Sequence, residues 1–332
     1  MAVIGATGYA GATAVTLLLP HPRVRLVQVT SRSSAGRPLA EAYPGLDTDL
    51  VLRDGTDPGD AEVVFAALPH GLAGELAAGW RAEGRTVIDL GADYRLKDAD
   101  EYARWYGMKH PAPTLLREAV FGLPELYREQ LLGAKLVGCP GCYSTAAILA
   151  LYPGLRSGLL DSDVIVSAAS GISGAGRSLG LGTHFSEVNE DYRAYSVTGH
   201  RHVAEMRQEL SIDGSVPRLT FVPHLAPMVR GILASCYAGL HSGASLESLI
   251  AAYRGFYAGA PFVRVVDEPP RTKAVAGTNE CQVHISAQDG KVIILAALDN
   301  LLKGASGQAV QAFNIVSGWD EATGLDAAPR WP

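Results

Sequence analysis

Ala2-Val3-Ile4-Gly5-Ala6-Thr7-Gly8-Tyr9-Ala10-Gly11 opens the chain: a short apolar run, then three glycines spaced every third residue. Small and apolar residues follow over 12–19 until Pro20 and Pro22 intervene. An apolar run, a glycine turn and a small-residue stretch ended by proline read as a strand feeding a helix. Glycines let such a turn close tightly, and the helix start leaves backbone N–H groups open to an anion such as a pyrophosphate. Outward from this unit, strand-like runs at 24–30, 63–68, 86–90 and 136–138 alternate with helical stretches such as 71–84. Alternation of this kind predicts an α/β fold with a doubly wound parallel sheet of the Rossmann type. The pattern changes after about residue 155, where strand-like runs at 164–169, 219–222, 231–238, 262–266, 281–285 and 291–298 are joined by long or glycine-rich connections. These predict an α+β second domain with a mixed or antiparallel sheet, and 304–316 reads as a closing helix. The domains expected are 1–141 and 142–303, with 304–332 as the closing stretch, which family resemblance implies rejoins the first.

Composition narrows the classes. The chain has 332 residues, 48% hydrophobic and 19% charged, with net charge −6. That supports two ordinary domains with substantial cores, and no basic block or basic–aromatic interleaving points to nucleic acid. No apolar run is long enough to span a bilayer, and no charged leader with a cleavage site precedes the first strand, so a cytoplasmic protein is expected. Four cysteines, Cys139, Cys142, Cys236 and Cys281, are too few for a secreted disulfide framework. Cys236 and Cys281 sit in apolar strand-like runs and read as core.

The second strand ends in Thr30-Ser31-Arg32-Ser33-Ser34-Ala35-Gly36-Arg37. A carboxylate there would accept from a ribose hydroxyl and indicate NAD; hydroxyls and guanidinium groups suit a 2′-phosphate, so NADP is expected. The chemistry gathers in Gly138-Cys139-Pro140-Gly141-Cys142-Tyr143-Ser144-Thr145, where a Gly-Pro turn hands a thiol to a small-residue helix. The positive end of a helix favours thiolate, the reactive form. Three other stretches carry polar groups: Ser170 to Arg177, Gly199-His200-Arg201-His202-Val203-Ala204-Glu205, and Asp299 to Gln308. On a strand, His200 and His202 would share one face, as metal ligands do, but no further ligands lie at metal spacing and no metal is expected. A thiol, a histidine and a dinucleotide site together suit acyl transfer to sulfur followed by hydride transfer.

These residues resemble the type 1 N-acetyl-γ-glutamyl-phosphate reductases of arginine biosynthesis, within the aspartate-semialdehyde dehydrogenase superfamily. The matching motifs run in order through essentially the whole chain: Gly5 to Gly11, Thr30-Ser31-Arg32-Ser33, Ala67-Leu68-Pro69-His70-Gly71, 87–96, 102–110, 121–126, Pro140-Gly141-Cys142-Tyr143, 170–177, His200-Arg201-His202, 223–231 and 299–308. The resemblance implies NADPH-dependent reductive dephosphorylation of N-acetyl-γ-glutamyl phosphate to N-acetyl-glutamate 5-semialdehyde through a thioester on Cys142. It implies His200 as acid/base, with His202 as the alternative. Arg95 is implied for the phosphate, with Arg177 and Arg230 as alternatives, and Ser170, His202 and Glu205 complete the substrate-side set. Gly5, Thr7, Gly8, Tyr9, Ala10, Gly11, Ser31, Arg32 and Ser33 would hold the cofactor, with Gly174, Ala175 and Asn300 against its nicotinamide half. The expected partners are a small acyl phosphate or aldehyde, phosphate, and further copies of the chain as a homodimer or homotetramer.

The sequence departs from the family pattern at Cys139, where Asn is usual, and at Ser144, where Pro is usual. Rival readings are the homologous reductase of lysine biosynthesis, an aspartate-semialdehyde dehydrogenase, and a redox or NADP-binding regulator built on Cys139-Pro140-Gly141-Cys142.

Overall fold

The computed structural model describes residues 1–329, which cluster into two compact units: Met1–Pro140 with Ala305–Asp326, and Gly141–Gly304 with 327–329. The last three positions of the expected 304–332 stretch lie outside the described residues.

The first unit holds seven strands: β1 (Ala2–Ile4), β2 (Gln28–Thr30), β3 (Leu52–Arg53), β4 (Val63–Ala66), β5 (Thr86–Asp89), β6 (Val120–Phe121) and β7 (Leu136–Gly138). They form one sheet in the order β3-β2-β1-β4-β5-β7-β6, parallel throughout. Ala2, Val3, Ile4, Val64, Phe65, Val87 and Ile88 are completely buried. Their apolar runs do not alternate because central parallel strands are covered on both faces. The order reverses beside β1, and the carboxyl ends there form the crevice in which such sheets hold ligands. Helices Tyr9–Leu18, Ala73–Ala82, Ala99–Tyr106, Pro124–Leu131 and Gly307–Val316 belong to this unit. Helix Ala99–Tyr106 is bounded by its own chemistry: Asp98 accepts from the N–H groups of Asp100 and Glu101, and Gly107 closes it at φ 69°. Helix Gly307–Val316 is buried on all sides from 307 to 315, with Phe313 edge-on to Phe65 at 5.8 Å.

The strand expected at 24–30 begins only at Gln28. Its partner β1 starts at Ala2, which pairs with Gln28, so earlier residues have nothing to pair with. The helix expected from 304 begins at Gly307, after a π-helical turn at Leu302–Ser306.

The second unit also has seven strands: β8 (Asp163–Gly171), β9 (Arg193–Ala194), β10 (Arg218–Ala226), β11 (Ile232–Gly239), β12 (Val263–Val265), β13 (Cys281–Gln288) and β14 (Lys291–Leu298). The order is β12-β13-β14-β11-β8-β10-β9, with β8–β10 and β12–β13 parallel and the other pairs antiparallel. Burial alternates along these strands, as a sheet with one covered face requires. Val164, Val166, Cys236, Cys281 and Ile294 point to the covered side, so both cysteines lie in the core as expected. Ile165 and Tyr237 stand on the other side, 47% and 37% exposed. The covering element is the helix Cys142–Arg156, buried along nearly its whole length. Pro153 inside it lacks an N–H and would leave the Leu149 carbonyl unpaired. The Tyr257 hydroxyl donates to that carbonyl at 2.7 Å, so a proline is tolerated mid-helix.

Candidate active site

In the first unit the glycine turn fits a dinucleotide. Gly5 takes φ +83°, and a Cβ on it would lie 2.3 Å from the Ala67 carbonyl oxygen. A Cβ on Gly11 would lie 2.2 Å from the Gly5 oxygen, so these two glycines are demanded by the turn itself. Gly8 differs: a Cβ there meets nothing closer than 3.7 Å. Its bareness leaves room beside the helix start, where no side chain caps the first turn. Tyr9 and Ala10 open that helix. Thr7 and Ser31 share a hydroxyl hydrogen bond of 2.7 Å, Ser33 continues the row at 3.4 Å, and Tyr43 donates to the Thr7 carbonyl at 2.7 Å. Arg32 is exposed at the end of this row, while Arg37, also exposed, pairs with Glu41 at 3.1 Å.

Two acidic groups, Asp89 and Asp93, lie buried at and just beyond the end of β5. Asp89 is completely buried; its Oδ1 accepts from Gly91 N–H at 2.8 Å, and its Oδ2 has no hydrogen-bond partner among the described residues. Burial first, then the neighbouring Asp93, pushes the Asp89 carboxyl up to about 7, against the smaller opposing pull of Arg95. Asp93 is fully occupied, accepting from Gly71, Gly74 and the Tyr102 hydroxyl. Arg95 donates to the Leu90 carbonyl at 3.2 Å. Cys139 is a buried free thiol held protonated by burial and by Asp89. Since the folded protein holds the Asp89 proton more tightly than the unfolded chain, this group's contribution to stability is complete below about pH 4 and is lost as pH rises through about 7. Thermal melts between about pH 4.5 and about pH 7.5 are expected to show a falling Tm from this group in the wild type and a flatter response in Asp89→Asn. Parallel slopes would contradict this.

In the second unit Cys142 is the first residue of its helix, with Gly141 as an N-cap that offers no side chain. Gly141 donates its N–H to Glu205 Oε2 at 2.8 Å, and Glu205 is completely buried. His202 lies against the same glycine: a Cβ on Gly141 would fall 2.2 Å from His202 Nε2. The turn is therefore clamped by a carboxylate and an imidazole three residues apart on helix His202–Glu209. Gly304 keeps space on the other side, where a Cβ would lie 2.7 Å from the Cys142 Cβ.

The histidines are not on a strand. His200 ends a turn and His202 begins a helix, because 202–209 is rich in Glu, Ala, Met, Arg and Gln, good helix formers. Their rings meet edge-on at 4.6 Å. Among the described residues no group of three or more His, Cys, Asp or Glu side chains could hold a metal. His200 is enclosed by Tyr143, Tyr195 and Phe221, with ring centroids 5.4–5.6 Å away. Burial, then His202, lowers its pKa to about 3, against an opposing effect of Glu205 that outweighs the small further lowering by Arg201. Tyr143, Tyr195 and the carbonyl of His224 are site groups the sequence reading passed over, although Tyr143 directly follows the thiol and Tyr195 precedes the histidines by five positions.

Ser170 is buried and donates to the Gly171 carbonyl at 3.1 Å; a Cβ on Gly174 would fall 2.8 Å from its hydroxyl. Ala175 closes the short 3-10 turn Ile172–Ala175. Asn300 is buried, accepting from Gly231 N–H at 2.8 Å and donating to Ser173 at 2.9 Å. Arg230 leans on buried Asp299 at 3.4 Å, and Arg177 is exposed.

Comparison with known proteins accords with these two halves. A family model described as "Semialdehyde dehydrogenase, NAD binding domain" matches residues 1–134, and one described as "Semialdehyde dehydrogenase, dimerisation domain" matches residues 142–300. A protein of Symbiobacterium thermophilum named N-acetyl-gamma-glutamyl-phosphate reductase is 47% identical over 342 residues, covering 99% of this chain and 98% of that protein. Another of the same name from Pelotomaculum thermopropionicum is 47% identical over 343 residues, covering 100% and 99%. The chain belongs to the N-acetyl-γ-glutamyl-phosphate reductase family. Its fold is shared more widely: aspartate semialdehyde dehydrogenase II of Vibrio cholerae superposes with a TM-score of 0.73 at 16% identity, over 96% of this chain and 98% of that one. Against the N-acetyl-γ-glutamyl-phosphate reductase pattern, the Ser144 that replaces the usual Pro donates to the His202 carbonyl at 3.4 Å. No described helix is long and apolar enough to cross a membrane.

Proposed function

We propose that this chain carries out the NADPH-dependent reductive dephosphorylation of N-acetyl-γ-glutamyl phosphate to N-acetyl-glutamate 5-semialdehyde, a step of arginine biosynthesis. The observation that carries this reading is Cys142 on an uncapped helix start, in a turn clamped by Glu205 and His202, with His200 in the same unit. The Cys142 sulfur attacks the acyl carbon, the C–O bond to phosphate breaks with its electron pair on the phosphate, and a thioester remains on the enzyme. When bound, NADPH supplies the hydride that reduces this thioester. His200 serves the substrate oxygen as its negative charge develops, and on collapse the C–S bond breaks and sulfur leaves as thiolate. Cys139 takes no part, since its thiol is buried and held protonated.

Gly5, Gly8 and Gly11 would receive the pyrophosphate, and the Thr7–Ser31–Ser33 hydroxyls with Arg32 the 2′-phosphate. We assign the substrate phosphate to Arg95 and leave Arg230 to its contact with Asp299. The matched dimerisation domain supports pairing with a second copy, and the half-exposed sheet side bearing Ile165 and Tyr237 is the face we assign to a homodimer contact. The cytoplasm is the compartment we assign.

The test is phosphate-dependent oxidation of N-acetyl-glutamate 5-semialdehyde with NADP, against unacetylated and longer-chain aldehydes. Preference for either control substrate over the acetylated one would overturn the substrate assignment. In the same assay Arg32→Ala is expected to lower kcat/KM for NADP by roughly 10-fold, the cost of one charged phosphate contact, and to leave NAD within about 2-fold. An equal loss with both cofactors would remove Arg32 from the 2′-phosphate site.

A further inference from the structure

The loop that follows β14 lies directly behind Cys142. Gly304 belongs to the π-helical turn Leu302–Ser306, and a Cβ on it would fall 2.7 Å from the Cys142 Cβ and 3.2 Å from Leu298 Cδ1. The Gly304 backbone is therefore a wall against which the first residue of helix Cys142–Arg156 rests. The turn is wide. Gly304 donates its N–H back five residues, to the Asp299 carbonyl at 2.9 Å, where an α-helix would reach back four. Asp299 fixes the start of the turn, since its buried carboxylate accepts from Leu301 N–H and from Gly277 N–H, each at 2.8 Å. Gly304 has no side chain with which to hold its own place. Its neighbour Lys303 has one. Lys303 is completely buried, one of the largest fully buried side chains among the described residues, and its Nζ stands 6.0 Å from the centre of the Phe262 ring.

A lysine usually lays its stem along the protein and keeps its ammonium in water. An ammonium taken fully inside stays there only where surrounding groups hold it, and it then ties down the backbone that carries it. Wide turns of this kind are rare and recur at functional sites. We propose that Lys303 is a positioning residue for Cys142: its buried ammonium anchors the wide turn and so keeps the Gly304 backbone against the nucleophile. The assignment rests on the reading of Cys142 under the proposed function. It also sets a cation in dry surroundings one residue from the group that touches Cys142, and such a cation favours thiolate. Removing the ammonium loosens the wall and lowers the thiolate fraction together.

The experiment pairs Lys303→Met, which keeps an unbranched apolar stem and removes the charge, with Phe262→Leu, which removes the ring beside the ammonium. Iodoacetamide alkylation of the full-length protein at about pH 7 is read peptide by peptide in the mass spectrometer. It reports Cys142, because Cys139, Cys236 and Cys281 are at most 1% exposed. Lys303→Met is expected to slow alkylation of Cys142 at least about 3-fold and to lower kcat roughly 10-fold, with the KM for NADP within about 3-fold. Phe262→Leu is expected to move both in the same direction by a smaller factor, and it decides the question if Lys303→Met does not fold. Alkylation at or above the wild-type rate in the folded variants overturns the proposal. A fall in Tm with alkylation and kcat per folded molecule unchanged does so too, as the mark of a lysine that serves stability alone. Alkylation needs no turnover, so an enzyme inactive on the acetylated aldehyde would count against the function while leaving this proposal to be judged on the thiol.

Discussion

Cys142→Ala is expected to lower phosphate-dependent aldehyde oxidation by at least about ten-thousandfold, while Cys139→Ala keeps most of it. The two thiols stand three positions apart and differ in every property that matters. Cys142 starts a helix whose first turn has no side-chain cap, and it is only partly buried. Cys139 is 1% exposed, and burial and Asp89 both oppose its ionisation. Steady-state rates, with circular dichroism to confirm folding, check the pair. Mass spectrometry after mixing with substrate would show an acyl adduct on the wild type and on Cys139→Ala, and none on Cys142→Ala. If Cys139→Ala were the inactive variant, the nucleophile assignment would fall.

Gly11→Ala is expected to cost about 3 kcal/mol of stability and to raise the KM for NADP by more than about 10-fold. One methyl group suffices because its neighbour is backbone. The Cβ would lie 2.2 Å from the Gly5 carbonyl oxygen and 3.0 Å from the Ala6 Cα, and neither can rotate aside. Relief requires the glycine turn to open, which displaces the N–H groups proposed for the pyrophosphate. Gly79→Ala is the control. It sits inside helix Ala73–Ala82 with open space around its missing Cβ, and alanine there is expected to stabilise by roughly 0.5–1 kcal/mol. Thermal melts of the two variants should move in opposite directions. A Gly11→Ala protein with wild-type Tm and KM would refute the steric demand placed on Gly11.

Local patterns in the chain carried much of this reading. The Gly5–Gly8–Gly11 turn, the strand–helix alternation and the start of the Cys142 helix depend on residues adjacent in sequence, and each was legible. The clamp on Gly141 was not, because the carboxylate that holds it is Glu205, 64 positions away. Histidines at alternate positions would share a face only on a strand, and no strand forms here because the helix-forming residues after His202 decide the local structure. Ser144 shows the converse, since a hydroxyl that departs from the family pattern acquires a use, at the His202 carbonyl, that only the fold reveals.

The helix Gly307–Val316 has a consequence for how the molecule is made. It follows Gly141–Gly304 in the chain, yet it is buried from 307 to 315 within the unit that holds Met1–Pro140. Until it arrives, Phe65 on β4 lacks the aromatic edge of Phe313, and the nascent Met1–Pro140 segment must wait with an uncovered apolar side while the whole of Gly141–Gly304 is synthesised. At ordinary rates of roughly 5–20 residues per second that interval lasts on the order of ten seconds or more. The Met1–Pro140 segment is thus translated well before it can finish folding, and chaperone demand in the cell would fall on that segment.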